Sequence, residues 1–148
     1  MTAHDPHAER ATFVHEIRVG WGDCDPAQIA YTGHLPGFAL AAIDAWWEHN
    51  LDGDGWFQME LDRGTGTPFV HMSLDFRSPV TPRHRLMCEV WPTKLGNTSV
   101  TFRVDARQND QLCFQGRFVC VFIEPSDFST KHPPNDMKAV ITAQLRPE

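Results

Sequence analysis

Asp23 and Asp25, separated by one residue, sit in the stretch Trp21-Gly22-Asp23-Cys24-Asp25-Pro26-Ala27-Gln28-Ile29-Ala30-Tyr31, between an apolar strand pattern and a nearly all-apolar helix pattern. A carboxylate there stands at the mouth of a helix. The first four N–H groups of a helix lack intrahelical partners, and the helix dipole favours negative charge by ~0.3–1 kcal/mol. This combination suits chemistry on a carbonyl group. The carboxylate could act as nucleophile or as general base for water, and backbone N–H groups around Tyr31, Thr32 and Gly33 would hold the developing oxyanion. Read from the residues alone, Asp23 or Asp25 suits helix capping as well, and Asp23 reads as an organiser of the loop.

Other chemistries find less support. His34 with Asp23, Cys24 and Asp25 matches neither the ordered ligand set of a structural zinc site nor that of a catalytic one, so no metal is expected, and no cofactor is called for. No Gly-x-Ser-x-Gly elbow is present. The four cysteines, Cys24, Cys88, Cys113 and Cys120, form no Cys-x-x-Cys pair and read as reduced thiols. Cys88 and Cys120 fall on apolar strand faces and are expected to pack in the core.

The elements that must position the acidic loop follow from periodicity. Phe13, His15, Ile17, Val19 and Trp21 alternate with Glu16 and Arg18, which predicts a strand entering the loop. From His34 to Asn50, with Pro36 near the start, apolar residues cover so much of the circumference that the helix is expected to be buried on most sides. Gly and Asp residues over 51–55 end it, and Trp56 to Arg63 suits a short second helix. Strands are then expected from Phe69 to Phe76, from Leu86 to Trp91, over Val100 to Ala106 and over Leu112 to Phe122. They are separated by turns at 77–82, 95–98 and 108–110. Residues 125–134 read as loop and Asp136 to Gln144 as a short helix or strand. A sheet of about five antiparallel strands needs cover on its apolar face, and one long helix supplies it. The fold class is therefore α+β, a curved sheet wrapped around one buried helix.

The 148 residues make one domain, with an N-terminal arm over 1–12, a core over 13–125 and a tail over 126–148. A 41% hydrophobic content fits a globular chain. A net charge of −6 without a basic run argues against a nucleic-acid partner. No apolar run reaches the ~20 residues of a membrane span, and no export signal is seen, so the expected location is cytoplasmic.

Gly22-Asp23-Cys24-Asp25-Pro26-Ala27-Gln28-Ile29-Ala30-Tyr31 resembles the Gly-Asp-Cys-Asp-Pro-Ala-Gly-Ile-Val-Tyr signature of the hotdog-fold acyl-CoA thioesterases of the 4-hydroxybenzoyl-CoA thioesterase family. Gly66-Thr67-Pro68 before a strand and Asp75-Phe76-Arg77-Ser78-Pro79 at its end also match. The resemblance covers roughly residues 13–125. Gln28 stands where that pattern has glycine, and Leu35 where it has tyrosine.

The resemblance implies a catalytic Asp25, with the helix end at Thr32 polarising the thioester carbonyl. It implies substrate contacts from Tyr31, Gly33, His34, Phe38, Trp46, Gly66 and Thr67. Phe38, Ala42 and Trp46, with Trp56 or Phe57, would form an aromatic wall suited to a benzoyl, hydroxybenzoyl or medium-chain acyl group. Arg77, Arg83, Arg85 and Lys94, and also Arg103, are candidates for holding the phosphates of CoA. The family's active sites form between subunits, so a homodimer or homotetramer is expected. A second reading is a non-hydrolytic hotdog protein that binds acyl-CoA or acyl carrier protein.

Overall fold

A computed structural model describes residues 12–148, so the expected N-terminal arm lies, apart from Thr12, outside the described residues. The chain runs β1 (Phe13–Ile17), α1 (Leu35–Asn50), α2 (Trp56–Leu61), β2 (Phe69–Phe76), β3 (Leu86–Leu95), β4 (Ser99–Gln108), β5 (Gln111–Val121) and α3 (Asn135–Gln144). The five strands form one antiparallel sheet in the order β1-β3-β4-β5-β2, with α1 packed against it, which is the expected hotdog arrangement.

Packing of α1 explains its composition. Leu35, Ala39, Ala42, Ile43, Trp46 and Trp47 recur at helical spacing and are all buried, and the two alanines let the sheet come close. Trp46 and Trp47 meet edge to face with ring centroids 5.0 Å apart, and Phe102 of β4 lies 5.0 Å from Trp46 and 5.8 Å from Trp47. Gly37 and Ala41 reach solvent, so the helix is buried over one broad face rather than on most sides. The sheet of one chain can cover only that face.

Local chemistry sets the other joints. Asp44 on α1 accepts the Trp56 N–H through Oδ1 at 2.8 Å, which docks the start of α2 onto α1. The β4–β5 hairpin turns on Asn109 and Asp110, at φ 50° and 64°, and Gln108 pairs with Gln111. Two consecutive left-handed residues give the turn whose twist matches flanking strands. The second helix ends at Leu61, two residues short of the expected Arg63, and the tail segment is a helix from Asn135.

The expected face of the first strand is corrected at Trp21, and β2 is more exposed than the alternation of Val70, Met72, Leu74 and Phe76 with His71, Ser73 and Asp75 suggests. β1 stops at Ile17, and Trp21 opens a 3-10 turn over Trp21–Asp23, where it is 76% exposed instead of facing the core with Phe13 and Val19. On β2, Phe69 and Leu74 pack against the core, but Val70 is 62% exposed and Met72 and Phe76 are exposed too. A bulge between Phe69 and His71 shifts the register, and β2 is an edge strand with a neighbour on one side alone.

Candidate active site

The acidic loop is braced by its own backbone. Asp23 Oδ2 accepts the Gly20 N–H at 2.8 Å, its carbonyl accepts the Tyr31 N–H at 2.8 Å, and its Oδ1 lies 3.4 Å from His34 Nδ1. Asp23 is therefore an organiser that joins the start of the loop to its end. Asp25 builds the tip. Its Oδ1 accepts the Ala27 N–H at 2.8 Å, its carbonyl accepts the Gln28 N–H at 2.9 Å, and its own N–H donates to the Ile29 carbonyl at 3.1 Å.

Gln28 closes this tight turn at φ 66°. The left-handed region is where a glycine costs least, and it explains why the resembling signature has glycine there. Gln28 adopts the conformation nevertheless, so the substitution leaves the turn in place.

Asp25 does not cap α1. Its Oδ1 serves the turn, and among the described residues its second oxygen has no hydrogen-bond donor. Beyond the turn, Thr32–His34 form a 3-10 turn that leads directly into α1. The Tyr31 N–H is used by Asp23 and the His34 N–H by the Tyr31 carbonyl, which removes Tyr31 from the three expected oxyanion donors. The N–H groups of Thr32 and Gly33 make no such bond among the described residues. Tyr31 folds over Gly33 so closely that a Cβ there would lie 2.5 Å from Tyr31 Cε1, and its ring meets that of His34 at 5.6 Å.

An apolar cavity of about 330 Å³ lies against this loop, lined by Ile29, Ala30, Thr32 and Leu35 on one side and by residues 76–80 on the other. Leu35, where the signature has tyrosine, supplies part of its wall. The Ala30 N–H donates to the Val80 carbonyl at 2.7 Å and ties the two sides together.

A second cavity of about 320 Å³ lies at the opposite end of β2. Gly66 and Thr67 line it with Leu40, Trp56, Phe69, Ile123 and Phe128, and Glu60 contributes a carboxylate. Gly66 and Ile123 exchange both backbone hydrogen bonds, at 3.0 and 2.9 Å, which fixes its floor. Leu40 and Phe69 were hidden in ordinary helix and strand periodicities.

The remaining expected contacts divide. Ala42 and Trp46, the latter 1% exposed, belong to the core between α1 and β4 and line neither cavity, while Phe57 faces solvent. Phe38 is half-buried against the core. The basic residues do not converge on one point. Arg77 lines the cavity beside the acidic loop, and Arg83 and Arg85 line a neighbouring one. Lys94 lies past a bulge of β3, and Arg103 is engaged by Asp105 and Glu148. All four cysteines are free thiols; Cys88, Cys113 and Cys120 are buried, and burial pushes the Cys88 and Cys120 thiols up to about 12. No described helix is long and apolar enough to cross a membrane.

Comparison with known proteins gives a consistent picture. A model of the thioesterase superfamily matches residues 38–114. A thioesterase superfamily structure from Jannaschia sp. CCS1 is 53% identical, with 93% of this chain and 95% of that one covered and a TM-score of 0.90. A 1,4-dihydroxy-2-naphthoyl-CoA thioesterase from Synechocystis shares the fold at 22% identity, with 88% and 96% covered and a TM-score of 0.79. A Pseudomonas aeruginosa PAO1 protein, PA5185, does so at 21% identity, with 90% and 91% covered and a TM-score of 0.79. No curated protein matches.

Proposed function

The chain belongs to the thioesterase superfamily, and on that premise we propose that it hydrolyses acyl-CoA thioesters of aryl (benzoyl or hydroxybenzoyl) or medium-chain acids, with Asp25 as the reacting carboxylate. One observation carries this reading. Asp25 keeps an oxygen outside its own turn, on a loop that ends at α1 with the Thr32 and Gly33 N–H groups unengaged.

The free oxygen has two routes. It attacks the thioester carbon, the C–S bond breaks, CoA leaves as thiolate, and water hydrolyses the resulting anhydride. Alternatively it takes a proton from water as the water oxygen attacks the same carbon. Either way the carbonyl oxygen gains negative charge, which the Thr32 and Gly33 N–H groups are suited to bind. Tyr31 and His34 flank that point.

The site is read as shared between two subunits. β2 is an edge strand with exposed Val70, Met72 and Phe76, a surface suited to pairing with a second β2. Two-fold pairing runs the strands antiparallel, so the Phe69 end of one chain meets the Phe76 end of the other. The Gly66–Thr67 cavity of one subunit would then adjoin the acidic loop of its partner, and the aromatic Trp56, Phe69 and Phe128 would receive the acyl group. Two such dimers would make a tetramer.

The test is release of CoA from a panel of benzoyl-, hydroxybenzoyl-, phenylacetyl- and straight-chain acyl-CoA esters. Wild-type protein is expected to release CoA, and Asp25→Asn to be slower by ~10²–10⁴. Undiminished hydrolysis by the variant overturns the role of Asp25; acyl-CoA binding with no turnover by wild type would favour the non-hydrolytic reading.

A further inference from the structure

The cavity at the Gly66–Thr67 end of β2 joins three aromatic rings to one carboxylate. Trp56, Phe69 and Phe128 line it together with Glu60, and no lysine, arginine or histidine does. The Trp56 and Phe69 rings stand 5.7 Å apart at an interplanar angle of 76°, so two aromatic walls meet in a corner. Gly66 and Ile123 use their backbone N–H and carbonyl groups on each other, and the Pro68 carbonyl accepts the Val121 N–H. The lining therefore offers few acceptors besides Glu60.

Glu60 is without a partner of its own. Asp54 and Asp136 hold Arg63, Glu89 holds Arg107 and Arg146, and Glu124 holds Lys131, whereas Glu60 forms no ion pair or hydrogen bond among the described residues. A Cβ built on Gly66 would lie 3.9 Å from Glu60 Oε1, so the carboxylate reaches the floor of the cavity. Lys131, three residues beyond Phe128, is committed elsewhere: its Nζ donates to the Gly64 carbonyl at 2.7 Å and to Glu124 Oε1 at 3.1 Å.

Phe128 is fixed at the cavity by its own hairpin. Ile123 pairs with Thr130, the Phe128 N–H donates to the Glu124 carbonyl at 2.8 Å, and Asp127 Oδ1 accepts the Ser129 N–H and hydroxyl at 2.9 and 2.7 Å. Phe128 holds φ 61° and is 73% exposed. A bulky side chain in the left-handed region is uncommon and persists where its surroundings over-determine it. The core does not account for this ring, which lies outside it and meets no other ring among the described residues; the cavity is what it lines.

We propose that this cavity binds a quaternary ammonium group, with its methyl groups against the Trp56, Phe69 and Phe128 rings and the Glu60 carboxylate opposite the charge. Aromatic faces carry negative potential and attract a cation, tryptophan most strongly, and a carboxylate attracts the same charge. A primary ammonium brings three N–H donors that need acceptors, for which this lining supplies one carboxylate; a quaternary ammonium brings none. The net charge of −6 favours the approach of a cation. The cation has two possible sources, the far end of an acyl group bound as a thioester or a free organic cation. In the first case the proposal rests on the thioesterase reading and names the acyl groups the cavity prefers, those ending in trimethylammonium over uncharged ones of the same shape.

Calorimetric titration of the full chain with tetramethylammonium, with choline and with the carbon isostere of choline, in which tert-butyl replaces trimethylammonium, tests binding without any hydrolysis. Both cations are expected to bind, choline about tenfold more tightly than its isostere. Glu60→Gln and Phe128→Ala, both at exposed positions, are each expected to weaken choline by about five- to tenfold, and Glu60→Gln to leave the isostere unmoved. Absence of a preference for the cation, or cation binding indifferent to both variants, overturns the proposal even if thioesters are hydrolysed. Cation binding in a protein that hydrolyses nothing supports it and removes the thioesterase reading alone. The source is read from kcat/KM for short trimethylammonio-acyl CoA esters and their tert-butyl counterparts. An advantage of about tenfold for the charged ester, abolished in Glu60→Gln, places the cation on the acyl group. Equal values for the two esters, with choline binding still weakened in Glu60→Gln, assign the cavity to a free organic cation.

Discussion

Asp25 Oδ1 accepts the Ala27 N–H at 2.8 Å, a bond that an asparagine oxygen in the same place also accepts. Asp25→Asn therefore removes the charge and keeps the turn. Its melting temperature is expected to stay within a few degrees of wild type while CoA release collapses. Asp25→Ala loses the bond as well, and is expected to cost about 1 kcal/mol in urea unfolding.

Gln28 holds φ 66° to close that turn. Gln28→Gly relieves a side chain from the left-handed region, which costs roughly 1–2 kcal/mol for an L residue. The variant is expected to be more stable by about 0.5–1 kcal/mol, net of its greater unfolded-state freedom, and to retain hydrolysis. Loss of stability would show that the Gln28 side chain makes a contribution of its own.

Trp46 lies between Trp47 and Phe102 at 5.0 Å from each. Trp46→Ala is expected to destabilise the fold by about 3–5 kcal/mol, as removal of a buried aromatic does. Trp56→Leu, at the wall of the Gly66–Thr67 cavity, is expected to leave most of the stability and to change the ranking of acyl groups in the thioester panel. The two substitutions separate a packing aromatic from a lining one.

The exposed edge of β2 can be tested by charge. Val70→Lys/Met72→Lys places two like charges on a strand whose side chains reach solvent. Sedimentation velocity is expected to show a smaller species than wild type, with hydrolysis lost in parallel. An unchanged sedimentation coefficient would rule out assembly through this edge.

Buried thiols give the fold an alkaline limit. The Cys88 and Cys120 thiols are pushed up to about 12 from an ordinary 9.0, chiefly by burial. A group that holds its proton more tightly when folded contributes fully below its unfolded value, and that contribution is lost as pH rises towards the folded one. Urea midpoints are therefore expected to fall between about pH 9 and pH 12, and to fall less steeply in Cys88→Ala/Cys120→Ala when each protein is compared with its own midpoint at pH 8. In native protein at neutral pH, Cys24, the one partly exposed cysteine, is expected to react with a thiol reagent well before the other three.

Local patterns carried much of this architecture. Asn109-Asp110 announced its turn because two left-handed residues suit few other side chains, and α1 announced itself through an apolar content that no exposed helix has. The acidic loop was legible as a candidate site because its residue types and order are specific. What escaped depended on neighbours distant in sequence. β2 reads as an alternating strand, but its exposure follows from lying beyond β5 at the sheet edge. Trp46 and Trp56 are indistinguishable by composition, and packing against Phe102 decides which is core. Arg103 and Arg83 look alike until Asp105 and Glu148 are seen to occupy the first. Trp21 departs from the strand face because the strand ends at Ile17, and the 3-10 turn that holds it has no period to announce it.

The bond from the Ala30 N–H to the Val80 carbonyl has a mechanical consequence. The acidic loop hangs from the segment that leads into β3, and that segment is clamped one residue further on, at Thr81, by Gln108. Asp25 and the turn that carries Arg83 and Arg85 thus share one bracket rather than standing on independent arms. Slack introduced at Gln108, a β4 residue far along the chain from either aspartate, would be felt as misalignment at the carboxylate.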